Sequence, residues 1–300
     1  MKNGLIAFAS GGEIYVVDVE GRDPRTLGPG VDPVWSPDGT KIAFLQAARS
    51  GMRRLSIIVM NRDGTDPHQL TPPRSNARQL SWSPDGTSIS FQGPPNGHVI
   101  RAVNADGTKT GRLVDAEGGE AAWSPDGNKI AFKGLKRPGS DIFSVDIGGS
   151  NLTNLTDEYG YDSEPAWSPD GSRIAYRHVN DLVVMNADGN GKTLLAPSGG
   201  SAPAWAPDGE RIAFVGNGIQ VVGVEGTDRT RLTRGMRGSQ TAPTWSPDGS
   251  KIAFVSGDYT TKDVDVWVMD ADGSDKRKLT EHLHPQAHLS WQPVVSGPSP

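Results

Sequence analysis

Short apolar runs bounded by polar turn residues recur along the whole chain. The clearest run is an aliphatic residue, a small residue and an aromatic residue, found at 42–44, 89–91, 130–132, 174–176, 212–214 and 252–254, with a further copy at 6–8. β-Branched and aromatic residues in runs of this length are typical of strands. The pattern therefore predicts an all-β chain.

A second motif precedes all but one of these runs. WSPDG begins at Trp35, Trp82, Trp123, Trp167 and Trp245, WAPDG begins at Trp205, and a divergent copy begins at Trp291. Successive tryptophans are 38 to 47 residues apart, the spacing of propeller blades. Ser-Pro-Asp-Gly suits a tight turn, because proline fixes φ and glycine accommodates the exit. The motif predicts a hairpin between a strand that ends at tryptophan and the aromatic-ended strand.

Each unit continues with a third strand, such as 14–18, 57–61, 182–186 or 264–270, and then an acidic-glycine turn and a short fourth strand. The repeat predicts seven four-stranded antiparallel blades in one domain covering residues 1–300. The chain opens on the second strand of a unit and ends on a lone first strand, Leu289 to Trp291. Pairing of this C-terminal strand with the N-terminal three strands would close the propeller and protect its edges.

These motifs resemble the TolB-like β-propeller repeat, a relative of the WD repeats, over essentially the whole chain. The resemblance implies a bacterial propeller in the periplasm or outside the cell, acting as a protein-binding platform. TolB itself has six blades, whereas this repeat predicts seven.

Composition narrows the classes of function. Thirty basic residues against 35 acidic ones give a formal net charge of −5, which disfavours nucleic acid as a partner. There are no cysteines, so disulfides, thiolate zinc sites and cysteine nucleophiles are excluded. No apolar run approaches the length of a membrane span, and the first residues do not form a secretory signal. We expect a monomer without membrane insertion, and the compartment stays open.

The two faces of such a propeller differ. The SPDG and acidic-glycine turns share one face, and their recurrence in the units indicates a structural role. The irregular connections lie on the opposite face, where binding usually resides. The residue three before each motif tryptophan should surround the channel mouth on that loop face. This position, which we call the ring position, holds Asp32, Gln79, Glu120, Glu164, Ala202, Ala242 and His288.

The polar members of the ring could take a cation, a basic side chain or sugar hydroxyls, or simply be hydrated. The segment 157–162, with two tyrosines and three acids, is a second candidate or an ordinary exposed loop. The predicted ligand-binding residues are Asp32, Gln79, Glu120, Glu164, His288, Tyr161, Asp162 and His178.

Three histidines, His282, His284 and His288, lie in the last connection and could share a metal, although hydration is the simpler interpretation. Some propeller lyases that act on acidic sugars use histidine-bound metal. Six basic residues on other loops could receive uronate carboxylates or form a solvated rim: Arg49, Arg53, Arg54, Lys133, Lys136 and Arg137.

The sequence favours a non-enzymatic scaffold that binds a protein, peptide or glycan through the loop face and needs no cofactor. One alternative is a metal-assisted polysaccharide lyase or hydrolase with its site at the channel mouth. Another is a sensor or lid domain of a larger protein.

Overall fold

The computed structural model describes residues 4–22, 24–47, 55–72, 75–94, 99–136, 138–261, 263–281, 283–285 and 288–293, without the side chains of residues 110, 112, 115 and 116. All regular elements in these ranges are strands, as predicted. Because none of these elements is a helix, the described part contains no apolar helix that could span a bilayer.

In chain order the strands are β1 (Leu5–Ser10), β2 (Glu13–Asp18), β3 (Arg25–Pro29), β4 (Val31–Trp35), β5 (Lys41–Ala47), β6 (Leu55–Asn61), β7 (His68–Gln69), β8 (Arg78–Trp82), β9 (Ser88–Gly93), β10 (Val99–Asn104), β11 (Thr110–Trp123), β12 (Lys129–Leu135), β13 (Ser140–Asp146), β14 (Thr153–Asn154), β15 (Asp162–Trp167), β16 (Arg173–His178), β17 (Asp181–Asn186), β18 (Thr193–Ala196), β19 (Ser201–Trp205), β20 (Arg211–Gly216), β21 (Gly218–Gly223), β22 (Thr230–Arg231), β23 (Ser239–Trp245), β24 (Lys251–Asp258), β25 (Asp263–Asp270), β26 (Arg277–Lys278) and β27 (Leu289–Trp291).

The strands form antiparallel sheets of consecutive neighbours. Four sheets contain β4–β7, β15–β18, β19–β22 and β23–β26, and a fifth has the order β27-β1-β2-β3. In the fifth sheet Ile6 lies opposite Trp291, so the last strand pairs with the first. The remaining sheet has seven strands, β8 to β14. Its central strand, β11, pairs with β10 through its first part and with β12 through Gly118 to Trp123.

The strand that ends at each motif tryptophan lies innermost in its unit. These inner strands are β4, β8, the second part of β11, β15, β19, β23 and β27. Each contacts the next, and β27 contacts both β23 and β4. The inner strands therefore converge on a common region.

The apolar core lies between neighbouring sheets. Ile14 and Val16 of β2 pack with Trp35, Phe44 and Met60 of the following sheet. The corresponding cluster between β23–β26 and β27-β1-β2-β3 contains Val266, Val268 and Trp291 with Ile6 and Phe8. Large residues fill the space between the sheets, while alanine at the middle of the aromatic-ended strand, such as the fully buried Ala43, keeps its side of the contact thin.

The motif turns explain why their aspartates recur. In the first turn, the Gly39 N–H donates to the Ser36 carbonyl oxygen at 2.8 Å, with Gly39 at a φ of 64°. The Asp38 carboxylate accepts the Ser36 hydroxyl at 2.5 Å and the Thr40 N–H at 3.0 Å. These bonds close the hairpin, so the recurrence of this aspartate from unit to unit is explained by the turn itself.

Candidate functional site

The ring position is a β-bulge in the inner strands. Its residues have left-handed φ values of 51° to 56° at Asp32, Gln79, Glu120, Glu164, Ala202 and Ala242. In each of these inner strands the pairing register with the next strand shifts at this point. Residues other than glycine rarely adopt such φ values, and bulges that redirect a side chain are common beside binding sites.

The bulges bring most of the ring together around one cavity. Six ring positions line an opening of about 740 Å³: Gln79, Glu120, Glu164, Ala202, Ala242 and His288. Asp32 adopts the same bulge in β4 but is not among the lining residues. The ring therefore forms a cavity without one of its predicted carboxylates.

A ladder of hydrogen bonds links the polar members of the ring from sheet to sheet. The Glu120 N–H donates to Gln79 Oε1 at 2.8 Å, and the Glu164 N–H donates to Glu120 Oε2 at 2.7 Å. The Ala202 N–H continues the ladder by donating to Glu164 Oε2. At each of these bulges, the backbone N–H of the ring residue has no partner within its own sheet. The side chain of the preceding ring residue accepts a hydrogen bond from this N–H and so satisfies it.

The second oxygen of each ring glutamate faces a basic side chain from the adjacent strand. Lys133 Nζ lies 3.4 Å from Glu120 Oε1, and Arg177 Nη1 lies 3.6 Å from Glu164 Oε1. Arg177 is also fixed by bonds from its Nε to the Val179 carbonyl oxygen at 2.7 Å and from its Nη2 to Asn180 Oδ1 at 2.9 Å. The carboxylates are therefore held in place and nearly balanced in charge.

The rest of the cavity wall has smaller and mostly apolar side chains. It contains Ala202 and Ala242, with Pro203, Pro243 and Val215 beside them. The hydroxyl groups on this side belong to Ser201, Thr241 and Thr244. The cavity accordingly has one polar arc, at Gln79, Glu120 and Glu164, and one mostly apolar arc at Ala202 and Ala242.

Tyr161, Asp162 and His178 form a separate cluster that does not line this cavity. Asp162 is 2% exposed and its Oδ1 lies 2.7 Å from His178 Nδ1. Burial raises the pKa of the Asp162 carboxyl, which hydrogen bonds to Thr156 and His178 oppose only in part. Tyr161 beside them is 65% exposed.

Ion pairs hold the segment that leads into this cluster. Lys136 contacts Asp157, as well as Asp141 at 3.0 Å, and Lys192 Nζ lies 2.8 Å from Glu158 Oε1. The Lys136 ammonium lowers the pKa of Asp157, and the Lys192 ammonium lowers that of Glu158. The acids of this segment are thus engaged by basic residues of the same chain.

The remaining predicted residues are distributed as follows. His288 lines the cavity, and His284 lies in the last connection at a φ of 45°. His282 lies outside the described residues, as do Arg49, Arg53, Arg54 and Arg137. Within the described residues no group of three or more histidine, aspartate or glutamate side chains could hold a metal ion.

The sequence reasoning missed Arg177 and the ladder. Arg177 directly follows the aromatic residue of its strand, as Lys133 does, and each lies in a unit whose ring position is glutamate. An acid three residues before the motif tryptophan, together with a base directly after the aromatic residue, is the sequence signal that could have predicted these ion pairs.

Comparison with known sequences finds only a partial match. No family model matches the chain. An uncharacterized peptidase, YuxL, of Bacillus subtilis (strain 168) is 36% identical over 78 residues, which are 25% of this chain and 12% of that protein. The chain thus matches only a small part of that relative's length.

Two solved structures cover nearly all of the chain. TolB from Acinetobacter baumannii has a TM-score of 0.62 and 20% identity, over 97% of this chain and 67% of TolB. An oligogalacturonate lyase in complex with manganese has a TM-score of 0.71 and 16% identity, over 94% of this chain and 87% of the lyase. At these identities the likeness extends to architecture, and the chain has the fold of a TolB-like β-propeller.

Proposed function

We propose that the protein is a non-enzymatic binding module that holds a protein, peptide or glycan ligand at the channel mouth on its loop face. The observation that carries this proposal is the cavity of about 740 Å³ built by the ring residues. Cavities of this size, with a few fixed polar groups and an apolar wall, are typical of ligand sites.

The proposal includes seven blades closed into a ring. The repeat supports seven, since the seven-stranded sheet divides at β11 into two units that share this strand. The pairing of β27 with β1 and the contacts of β27 with β23 and β4 support closure. A closed ring gives the cavity a rigid wall.

The cavity walls suggest the ligand's chemistry. Glu120 and Glu164 are oriented by the ladder and paired with Lys133 and Arg177, so a ligand need not neutralise an isolated charge. The polar arc suits hydroxyl or amide groups, and the apolar arc at Ala202 and Ala242 suits an aliphatic part of the same ligand. A peptide segment and an oligosaccharide both meet this description.

The test is a peptide and glycan array on the intact protein, followed by titration calorimetry with any ligand found. Ala242→Gln should fill the apolar arc and weaken binding at least tenfold, because Gln79 occupies the corresponding bulge at the same φ. Asp66→Gln, at an exposed position of positive φ in the turn between β6 and β7, is the control and should bind as the parent does. Equal binding by Ala242→Gln and the parent would show that the ligand does not bind in this cavity.

A metal-assisted lyase is the alternative favoured by the similarity to the manganese-containing oligogalacturonate lyase. It predicts stoichiometric manganese in the purified protein and release of unsaturated products from oligogalacturonate. Both readouts should vanish in His284→Ala. Detection of both manganese and unsaturated products with the parent protein would show that the protein is an enzyme and not a binding module alone.

A further inference from the structure

A second cavity lies on the face that carries the motif turns. It has a volume of about 480 Å³ and opens between the β11–β14 part of the seven-stranded sheet and the β15–β18 sheet. Its lining includes Trp167, Leu155, the basic residue Lys129 and three turn carboxylates, Asp126, Asp170 and Asp188. We call it the Trp167 groove. The proposed binding site at the channel mouth does not include this groove.

The same groove recurs between other sheets, where a cation from the chain itself occupies it. At Trp245 the guanidinium carbon of Arg211 lies 5.0 Å from the indole ring centroid. In the groove of Trp205, Arg173 Nη1 reaches the turn acid Glu225 of the next sheet at 2.9 Å. Arg211 and Arg173 occupy the same position, the first residue of the aromatic-ended strand. In these two grooves an arginine covers the tryptophan or bridges to the turn acid.

At the Trp167 groove the corresponding residue is Lys129, which lines the cavity but pairs within its own sheet. Lys129 Nζ lies 2.5 Å from Asp146 Oδ1, within its own sheet, instead of reaching the turn acid Asp188. The Trp167 indole N–H donates to the Ala122 carbonyl oxygen at 3.1 Å, which fixes the ring, and Trp167 lines the cavity. The groove therefore has a lysine ammonium on its Asp146 side, and none of its lining residues is an arginine.

The groove of Trp123 provides a contrast inside the same chain. There the basic position is Ser88 and the acidic-turn position is Gly148, so both charges are missing. The Trp167 groove retains the acid and the aromatic ring. Its carboxylates accept hydrogen bonds from their own turns, such as Asp188 from the Asn190 N–H at 2.9 Å, and are thereby oriented with further acceptor capacity.

We propose that the Trp167 groove binds the guanidinium group of an arginine side chain presented by a partner protein. The planar cation lies against the Trp167 ring, as Arg211 lies against Trp245, and its N–H groups face the carboxylates of Asp126, Asp170 and Asp188. A cation over an indole face gains electrostatic attraction, and carboxylates at its edge add charge-assisted hydrogen bonds.

The experiment titrates the intact ¹⁵N-labelled protein with N-acetyl-arginine methylamide and with its neutral isostere, N-acetyl-citrulline methylamide. The arginine derivative should cause saturable shifts of the Trp167 indole N–H and of the amides of 170–172 and 188–190. Added NaCl should weaken this binding. Equal shifts with citrulline, or no shift at these positions, would overturn the proposal.

Two variants locate the site. Asp188→Asn should lower the affinity about two- to fivefold, the effect of one exposed charge, whereas Asp106→Asn, in the matching turn of another unit, should leave it unchanged. Lys129→Arg should supply the missing guanidinium in cis and abolish binding. Unchanged binding by both groove variants, or tighter binding of free arginine than of the blocked residue, would reject a protein side chain as the occupant.

Discussion

The indole Nε1 of Trp245 donates a hydrogen bond of 3.0 Å to the carbonyl oxygen of Ala204 in the neighbouring sheet. The same bond joins Trp82 to Val34, Trp167 to Ala122 and Trp205 to Ala166. The motif tryptophan thus fills the space between sheets and also ties their inner strands together. Its partner lies 39 to 48 residues earlier, one repeat away.

This bond can be measured by comparing two tryptophans. Trp245→Phe removes ring volume and the hydrogen bond, whereas Trp35→Phe removes the same volume from a residue whose buried Nε1 has no partner among the described residues. We expect Trp245→Phe to lower the free energy of unfolding by about 1 kcal/mol more than Trp35→Phe does. Urea denaturation gives both values. Equal losses would mean that the inter-sheet bond contributes nothing.

The motif turns predict an acid-sensitive contribution to stability. Hydrogen bonds from the Ser168 hydroxyl and the Ser172 N–H and hydroxyl lower the pKa of Asp170 to about 2. Because the folded pKa lies below the unfolded one, this contribution is complete above the ordinary aspartate range and is lost as the pH falls toward 2. Asp170→Asn should therefore make the stability fall less steeply between pH 4.5 and pH 2.

Carbon-detected NMR titration of Asp170 checks the cause directly. The carboxyl carbon should titrate well below the exposed aspartates that lack such bonds. An ordinary midpoint would show that the serine bonds do not hold the carboxylate, and an unchanged pH profile in Asp170→Asn would contradict the linkage.

The buried pair of Asp162 and His178 predicts that one substitution can restore stability lost through another. His178→Ala leaves the Asp162 carboxylate without its imidazole partner at 2% exposure, and should cost about 1–3 kcal/mol at pH 7. Because burial raises the folded pKa of Asp162, its ionisation opposes folding as the pH rises through that pKa. Adding Asp162→Asn to His178→Ala should restore part of the loss at pH 7 and little at pH 3.

Thermal and urea unfolding of the single and double variants measure this coupling. A double variant less stable than His178→Ala at pH 7 would show that the carboxylate is not the group harmed by losing the imidazole.

The ladder beside the ring cavity allows the contributions of charge and of hydrogen bonding to be measured separately. Glu164→Gln keeps an oxygen for the Ala202 N–H and loses only the half-exposed ion pair with Arg177, so we expect a loss of about 0–1 kcal/mol. Glu164→Ala leaves the Ala202 N–H without its acceptor and should cost about 1–3 kcal/mol. Hydrogen exchange should report faster loss of the Ala202 amide proton in Glu164→Ala alone. Equal stability of the two variants would contradict the ladder.

The sequence was most informative where one local pattern has one structural solution. Each SPDG copy specifies its own turn, and Leu289–Trp291 was recognised as a first strand and is β27 with the same bounds. The ladder could not be predicted, because the sequence is equally compatible with two roles for Glu120 and Glu164. Each could be a hydrated residue of the channel lining or an acceptor for a backbone N–H 38 to 44 residues away. Spacing along the chain carries no information about which oxygen faces which sheet.

The Trp167 groove was missed for a related reason. Its face was interpreted as purely structural, since the turns recur in the units. Its recognition depends on the direction of one flexible side chain, that of Lys129, which pairs within its own sheet as Lys251 does with Asp270. Rotamer choice between two acids is decided by packing in three dimensions.

Strand β11 has a mechanical consequence. Here one strand of fourteen residues serves both as the outer strand of one unit and as the inner strand of the next, with a register shift in its pairing on each side. The two units are therefore joined by backbone hydrogen bonds to a shared strand. A substitution that disrupts the backbone of β11 should weaken both units at once.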